Sequence, residues 1–262
     1  MNLKHILTAM LCCMAMNNIA SAGSFNVYPT RLAFEEGAKI GSVTVVNESD
    51  EVANMQVRAM LWKQGENGKD AMQATQRLTF FPKIFRLLPH QKKVIRVGYQ
   101  EKALAKELAF RLFIRELPVD EPGKMGMKMA VQISMPVFIR PIGTSREPLP
   151  TVKAISVVDG KLVGWVENTG RRYLMAKKLE LSGSKNGKET YSGTAQGWYV
   201  LAGINKAFPL ELSSSDCRGM DRLSIKVVTE AGKKEKSFTL NDGICDEITD
   251  QAKSVAVSGK DG

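Results

Sequence analysis

KMGMKMAVQISMPVFIRP, residues Lys124 to Pro141, alternates with a period of two. Met125, Met127, Met129, Val131, Ile133, Met135, Val137 and Ile139 share one parity. Over the first half, Gly126, Lys128, Ala130, Gln132 and Ser134 fill the other parity and are small or polar. Successive side chains of an extended chain point to opposite faces, so the segment reads as one long strand with a single greasy face. Two readings of it stand. The plain one is a core-facing strand of a sandwich. The sharper one is an edge strand that lends its side chains to another protein. Methionine is unbranched and soft, which suits adaptable contact better than a uniquely packed core.

The segments around it have the same character. Phe25 to Phe34 carries Pro29, which marks an edge or sheet-switching strand. Ile40 to Val46, Ala53 to Trp62, Leu78 to Phe81, Ile84 to Leu88, Val94 to Tyr99 and Ala109 to Leu117 are further strands, and Glu101 to Leu108 allows a helical turn or two. Turns fall at sandwich spacing, with about seven strands in roughly 120 residues. No βαβ alternation occurs, which argues against a parallel sheet. Gly143, Pro148 and Pro150 stiffen a short linker. Beyond it come Val152 to Val158, Leu162 to Glu167, Ala176 to Leu181, Gly197 to Leu201, Lys206 to Leu212, Leu223 to Val228 and Lys236 to Leu240. Asp159-Gly160, Asn168-Thr169-Gly170 and Asn186-Gly187 read as hairpin turns between strands. The expected fold is all-β: a sandwich over residues 23–143, a linker at 144–150, a smaller sandwich over 151–250, and a polar, disordered tail from 251 to 262.

The start of the chain reads as an export signal over residues 1–22. Lys4 and His5 precede an apolar run, Ile6 to Met16, too short to span a bilayer, and Ala20-Ser21-Ala22 is a small-x-small cleavage site. Cys12 and Cys13 leave with it; the bulky Met10 and Leu11 speak against lipid attachment at Cys12. No later stretch has the length and apolarity of a transmembrane helix, so the expectation is an exported protein with no integral membrane segment. Cys217 and Cys245 remain. They are either a pair of buried thiols or one disulfide, and an even count in an exported chain favours the disulfide. Such a bridge adds about 3 kcal/mol in the chain-entropy model.

The 262 residues include 37 Lys and Arg against 27 Asp and Glu. Nucleic acid is one partner for such a charge. Export and the scatter of the basic residues along strands argue against it. A basic cleft for a carboxylate or an acidic protein fits better. Catalytic chemistry is sparse. His5 leaves with the signal and His90 sits alone beside Pro89 in a turn. That removes histidine-based triads and histidine-rich metal sites. Neither G-x-x-x-x-G-K-S/T nor G-x-S-x-G occurs. No enzyme activity, cofactor or metal is expected.

Several segments resemble the periplasmic pilus-assembly chaperones of the chaperone–usher pathway. They are Thr30 to Phe34, Leu88 to Val97, FRLFIRELP from Phe110 to Pro118, and Val137 to Pro141 closing the methionine strand. The resemblance covers nearly the whole mature chain and is strongest in its first half. It implies two immunoglobulin-like β-sandwich domains set at an angle with a cleft between them, and a periplasmic, non-enzymatic role. The partners it implies are pilin subunits, whose unfinished fold is completed by the last strand of the chaperone's first domain, and an outer-membrane usher. This is one of the known strand-addition modes of recognition. Met127, Met129 and Val131 match the donor positions, with Met125 and Ile133 as extensions.

The family also anchors the subunit's terminal carboxylate with an arginine on the first strand and a lysine on the donor strand. Arg31 matches the arginine. Pro136 stands where the lysine is expected and brings neither charge nor N–H. If Glu107 faces Arg140 in an antiparallel pair, Arg111 faces Pro136, and Arg111 is then the candidate for the missing cation. The departure points to a non-standard branch, such as the archaic one. Arg96, Glu107 and Arg140, with Glu230 from the second domain, match an interdomain ion-pair network. Two other exported proteins fit parts of the pattern: an adhesin or carbohydrate-binding module, and a pilus subunit. The first calls for exposed aromatic platforms, whereas Trp62, Trp165 and Trp198 fall in or at the ends of expected strands. Two complete domains and a basic cleft argue against the second.

Overall fold

The computed structural model describes residues 25–35, 38–100, 105–118, 129–143 and 148–249. The export signal, Met125, Met127, most of the linker and the tail lie outside the described residues.

The first half supplies ten strands: β1 (Phe25–Tyr28), β2 (Leu32–Phe34), β3 (Ile40–Asn47), β4 (Ala53–Gln64), β5 (Asp70–Ala74), β6 (Leu78–Phe81), β7 (Ile84–Leu87), β8 (Lys92–Tyr99), β9 (Leu108–Leu117) and β10 (Gln132–Ile139). They form two sheets, ordered β1-β3-β8-β6 and β2-β10-β9-β4-β5, with β7 also on β4. Every pairing is antiparallel except β2 with β10. The segment around Pro29 does switch sheets, β1 lying in one and β2 in the other. Inward residues of one parity fill the space between the sheets: Val43, Val45, Ile95 and Val97 against Met55, Val57, Leu112, Ile114, Met135 and Val137. Burying these alternating faces is what drives the two sheets together.

The second half builds β11 (Thr151–Val158), β12 (Lys161–Glu167), β13 (Leu174–Lys185), β14 (Lys188–Gln196), β15 (Tyr199–Val200), β16 (Asn205–Pro209), β17 (Arg222–Thr229) and β18 (Lys233–Thr239). Its sheets run β11-β12-β16 and β14-β13-β17-β18, with β15 on β13. Asp159-Gly160 and Asn186-Gly187 are tight hairpin turns, with φ of 51° and 71° in the first and 51° and 77° in the second. Asn168-Thr169-Gly170 is not a hairpin. It carries the chain from β12 in one sheet to β13 in the other. The buried Asn168 side chain donates to the carbonyls of Arg172, Val200 and Leu201, taking the place of a strand partner. Two short helices, α1 (Ser214–Arg218) and α2 (Asp242–Asp246), are capped by Ser213 and Asn241. The Cys217–Cys245 disulfide joins them, with Cα atoms 5.5 Å apart. Among the described residues no helix is long and apolar enough to cross a membrane.

Candidate functional site: an open strand edge beside two arginines

One flank of β10 is covered along its whole length by β9, from Gln132↔Arg115 to Ile139↔Leu108. The other flank meets β2 only at Val137, Phe138 and Ile139. Among the described residues nothing pairs with that flank from Gln132 to Pro136. The Glu116 N–H donates to the Val131 carbonyl at 2.9 Å, and the Arg140 N–H donates to the Phe34 carbonyl at 3.1 Å. Odd-numbered residues therefore turn their backbone groups toward β9, and even-numbered ones turn theirs to the open flank. An open edge of this kind is a template for another strand.

The greasy parity runs out of the core along this edge. Met135 is 2% exposed, Val137 is fully buried, and Ile139 closes the core end. Ile133 and Val131 are half-buried, and Met129 is 72% exposed. The same side-chain face thus packs this protein's own core at one end and stands uncovered at the other. Met125 and Met127, which extend the pattern, lie outside the described residues.

The opposite parity of β10 faces the second sandwich. Phe138 stacks on Tyr173 with ring centres 4.1 Å apart and joins Trp62, Ala109 and Leu201 in a buried cluster. Tyr199 sits edge-on to Tyr173 at 5.4 Å and to Trp62 at 5.3 Å. Pro136, two residues back on the same face, is paired with Arg111, as the sequence register requires. β2 pairs Leu32 with Val137 in parallel, and Arg31 is the residue just before that pairing, in the bend that leads into β2. Pro136 and Arg111 thus form one pair of the sheet, and Arg31 enters the same flank just ahead of β2.

The two arginines differ in surroundings. The Arg111 guanidinium lies 3.9 Å from the Trp62 ring centre, 5.4 Å from that of Trp198 and 5.8 Å from that of Tyr199. The residue is only 6% exposed, yet it forms no hydrogen bond or ion pair among the described residues. Burial pulls its pKa below the ordinary value, partly offset by Asp70 and Tyr199. Beside it the buried Trp62 Nε1–H lacks a hydrogen-bond acceptor among the described residues. Buried donors without acceptors are costly, and a planar, always-charged fork is matched to a carboxylate. Arg31 is more open. Its guanidinium is 3.8 Å from Glu230 and 5.6 Å from the centre of the Tyr173 ring. Burial would lower its pKa, but Tyr173, Glu230 and Tyr199 together outweigh that and raise it.

A set of polar clasps joins the sandwiches around these residues. Gln64 Nε2 donates to the Tyr199 carbonyl at 2.8 Å and to Asp70 at 3.0 Å, while its Oε1 accepts from the Leu201 N–H at 2.8 Å. Trp198 Nε1 donates to Asp70 at 2.9 Å, and Lys206 Nζ donates to the Gly68 carbonyl at 2.5 Å. Burial lowers the Lys206 pKa, with Asp70 offsetting part of the fall. Glu107 accepts from the Tyr173 N–H at 2.7 Å and lies 4.0 Å from Arg172.

Of the four residues matched to an interdomain network, Glu107 and Glu230 make contacts between the sandwiches. Arg140 does not meet Glu107, although the strand register runs toward it; its side chain pairs with Glu35 instead. Arg96 is not brought to the joint. It lies between Ser42 and Phe81 in the other sheet, on the face away from the core, because its neighbours Ile95 and Val97 are the inward residues. Sequence reasoning missed Gln64, Tyr173 and Tyr199. Their roles depend on loops from distant parts of the chain meeting. Trp62, at the end of an expected strand, is buried in the cluster between the sandwiches. Trp165 donates to Ser156 on the neighbouring strand. Trp198 caps Arg111. Among the described residues no group of three or more His, Cys, Asp or Glu could hold a metal ion.

Residues 24–145 match the family described as "Pili and flagellar-assembly chaperone, PapD N-terminal domain". A comparison with curated protein sequences finds no match. Among solved structures, the chain is similar to the CsuC–CsuE chaperone–tip adhesion subunit pre-assembly complex from archaic chaperone-usher Csu pili of Acinetobacter baumannii. The identity is 20%, the TM-score 0.56, and the match covers 82% of this chain and 97% of that one. It is also similar to the Salmonella enterica SafA pilin–SafB chaperone complex, at 17% identity and a TM-score of 0.53, over 84% of this chain and 98% of that one. The Escherichia coli chaperone DraB matches at 17% identity and a TM-score of 0.52, with the same coverage.

Proposed function

We propose, from the match of residues 24–145 to the PapD N-terminal domain family of pili and flagellar-assembly chaperones, that this chain holds pilus subunits by completing their fold. It acts in the periplasm, after removal of residues 1–22, without catalysis and without a cofactor. The open flank of β10 adds a strand to a subunit that lacks one. Met125, Met127, Met129, Val131 and Ile133 fill the groove that this strand would occupy. The chain then passes the subunit to an outer-membrane usher. The similarity to a chaperone of archaic Csu pili and the loss of the donor-strand lysine at Pro136 favour the archaic branch.

The observation that carries this reading is the gradient along one parity of β10, from a 2% exposed Met135 to a 72% exposed Met129, on a flank that is unpaired there among the described residues. The subunit's terminal carboxylate is held by Arg111, opposite Pro136, and Arg31, in the bend before β2. In the free chain Glu230 rests on Arg31 and yields to the incoming carboxylate. Glu107 and Glu230 help fix how the sandwiches meet, and the Cys217–Cys245 bridge staples the second one. An adhesin or carbohydrate-binding reading gains no support, because Trp62 is buried and Trp198 is engaged by Arg111 and Asp70.

Periplasmic co-expression with candidate pilins tests the reading. A soluble one-to-one complex is expected, and it is lost when Met127, Met129 and Val131 are all changed to Asp. Survival of the complex in that triple variant contradicts the donor-strand reading.

A further inference from the structure

The place of Pro136, opposite Arg111 and one step before β2 joins the sheet behind Arg31, raises a question of register. The Pro136 backbone faces the open flank, as that of every even-numbered residue of β10 does. Proline has no N–H to offer there. This costs the β9–β10 ladder nothing, because Pro136 and Arg111 form a non-hydrogen-bonded pair. It does remove one donor from the flank that a partner strand would use. Ala130, Gln132 and Ser134 each present an outward N–H, and the series stops one step before β2 takes over the flank at Val137.

The direction of the partner strand follows from the same geometry. Its chain end must reach the arginines at that end of the open flank, so it runs toward Pro136 alongside β10, in parallel. Its last backbone acceptor then arrives where the missing N–H should be. A neutral carbonyl at that point finds no backbone donor. A charged carboxylate has the guanidinium of Arg111 in reach from one strand and that of Arg31 from the bend before β2, the former buried and without a hydrogen bond among the described residues.

We infer that Pro136 closes the donor ladder of β10 and reserves its last position for a free chain end gripped by Arg31 and Arg111. This rests on the carboxylate-anchor reading given above. It makes Pro136 a specificity-determining residue rather than a lost anchor. The proline removes the backbone hydrogen bond that would otherwise hold the terminal oxygen alongside an arginine, so binding depends on the cations.

The test is a double-variant cycle on the full chain. The probe is the pilin of the one-to-one complex described above. Unlabelled variants compete with labelled wild-type chain for that pilin, which gives relative Kd values. In the wild-type background, Arg31→Ala weakens binding at least about thirtyfold, as expected when a partly buried charge pair loses one member. In a Pro136→Ala background, where the N–H is restored, the same change weakens binding by no more than about fivefold, because the oxygen keeps one hydrogen bond. Pro136→Val, closer in volume and favourable in a strand, serves as the restoring variant if Pro136→Ala does not fold. Equal losses in the two backgrounds overturn the inference and leave the anchor standing. No loss from Arg31→Ala in the wild-type background overturns the anchor and the inference with it.

Discussion

Pro136 stands directly across from Arg111 in the β9–β10 ladder, and the Arg111 guanidinium turns from there onto the face of Trp62 at 3.9 Å. The cation is thus fixed by stacking, while its N–H groups have no acceptor among the described residues. A cation that only locked the sandwiches together would act through that stacking alone. One that also takes an anion would lose affinity when replaced.

This distinction separates two outcomes for Arg111→Leu. The leucine retains apolar bulk against the aromatic rings and removes a buried charge. Replacing buried charges by apolar groups is often neutral or stabilising. Thermal unfolding should therefore show a Tm equal to or above that of wild type, while pilin affinity falls at least about tenfold. A large drop in Tm with unchanged affinity would make Arg111 a structural lock. Arg111→Lys should also lose affinity, because a lysine neither stacks flat nor binds a carboxylate with two prongs.

Met135 and Met129 share a strand face but not a task. Met135 is buried among Val137, Leu112 and their neighbours, so Met135→Ala should cost about 2–5 kcal/mol in denaturant unfolding. Met129 stands in solvent, so Met129→Ala should change stability by less than about 0.5 kcal/mol while weakening pilin binding. Both measurements on both variants are needed. The account fails here if Met129→Ala destabilises the free chain as Met135→Ala does.

Much of this was legible from residue parity. The period of two put Met129, Val131, Ile133, Met135, Val137 and Ile139 on one face, without saying where that face leaves the core. With Glu107 facing Arg140, as the family resemblance implies, antiparallel arithmetic placed Arg111 opposite Pro136. Pro29 announced the sheet switch, and Asp159-Gly160 and Asn186-Gly187 announced their hairpins. What stayed hidden has physical causes. β5 (DAMQA) is exposed throughout and β14 (KETYSGTAQ) mostly so, because they are edge strands with little need for an apolar face. Asn168 looked like a turn residue because its side chain mimics a backbone partner, which a lone sequence does not distinguish from a hairpin. Arg140 and Glu107 were aligned by register, but a backbone register does not say which way a long charged side chain leans. The aromatic joint was invisible because Trp62, Phe138, Tyr173 and Tyr199 meet only once both sandwiches exist.

Gln64 is one of the clasps between the sandwiches. Its amide serves the Tyr199 carbonyl, the Leu201 N–H and Asp70 at once. Gln64→Leu would fill a similar volume and leave those backbone groups without their partner. Each buried group so orphaned costs about 1–3 kcal/mol. The expected result is a stability loss of that order in denaturant titration, with faster hydrogen exchange at the Leu201 amide. An unchanged Leu201 exchange rate would mean that the clasp does not hold β15 in place.

The central claim is that β10 gives its free flank to a subunit strand, and residue-resolved amide hydrogen exchange of the chain with and without bound pilin reads that flank directly. The account predicts an alternation. The amides of Ala130, Gln132 and Ser134, which face outward, slow by orders of magnitude on binding, while those of Ile133 and Met135, already turned toward β9, change little. Even-numbered amides that exchange at the same rate in the complex as in the free chain would contradict it.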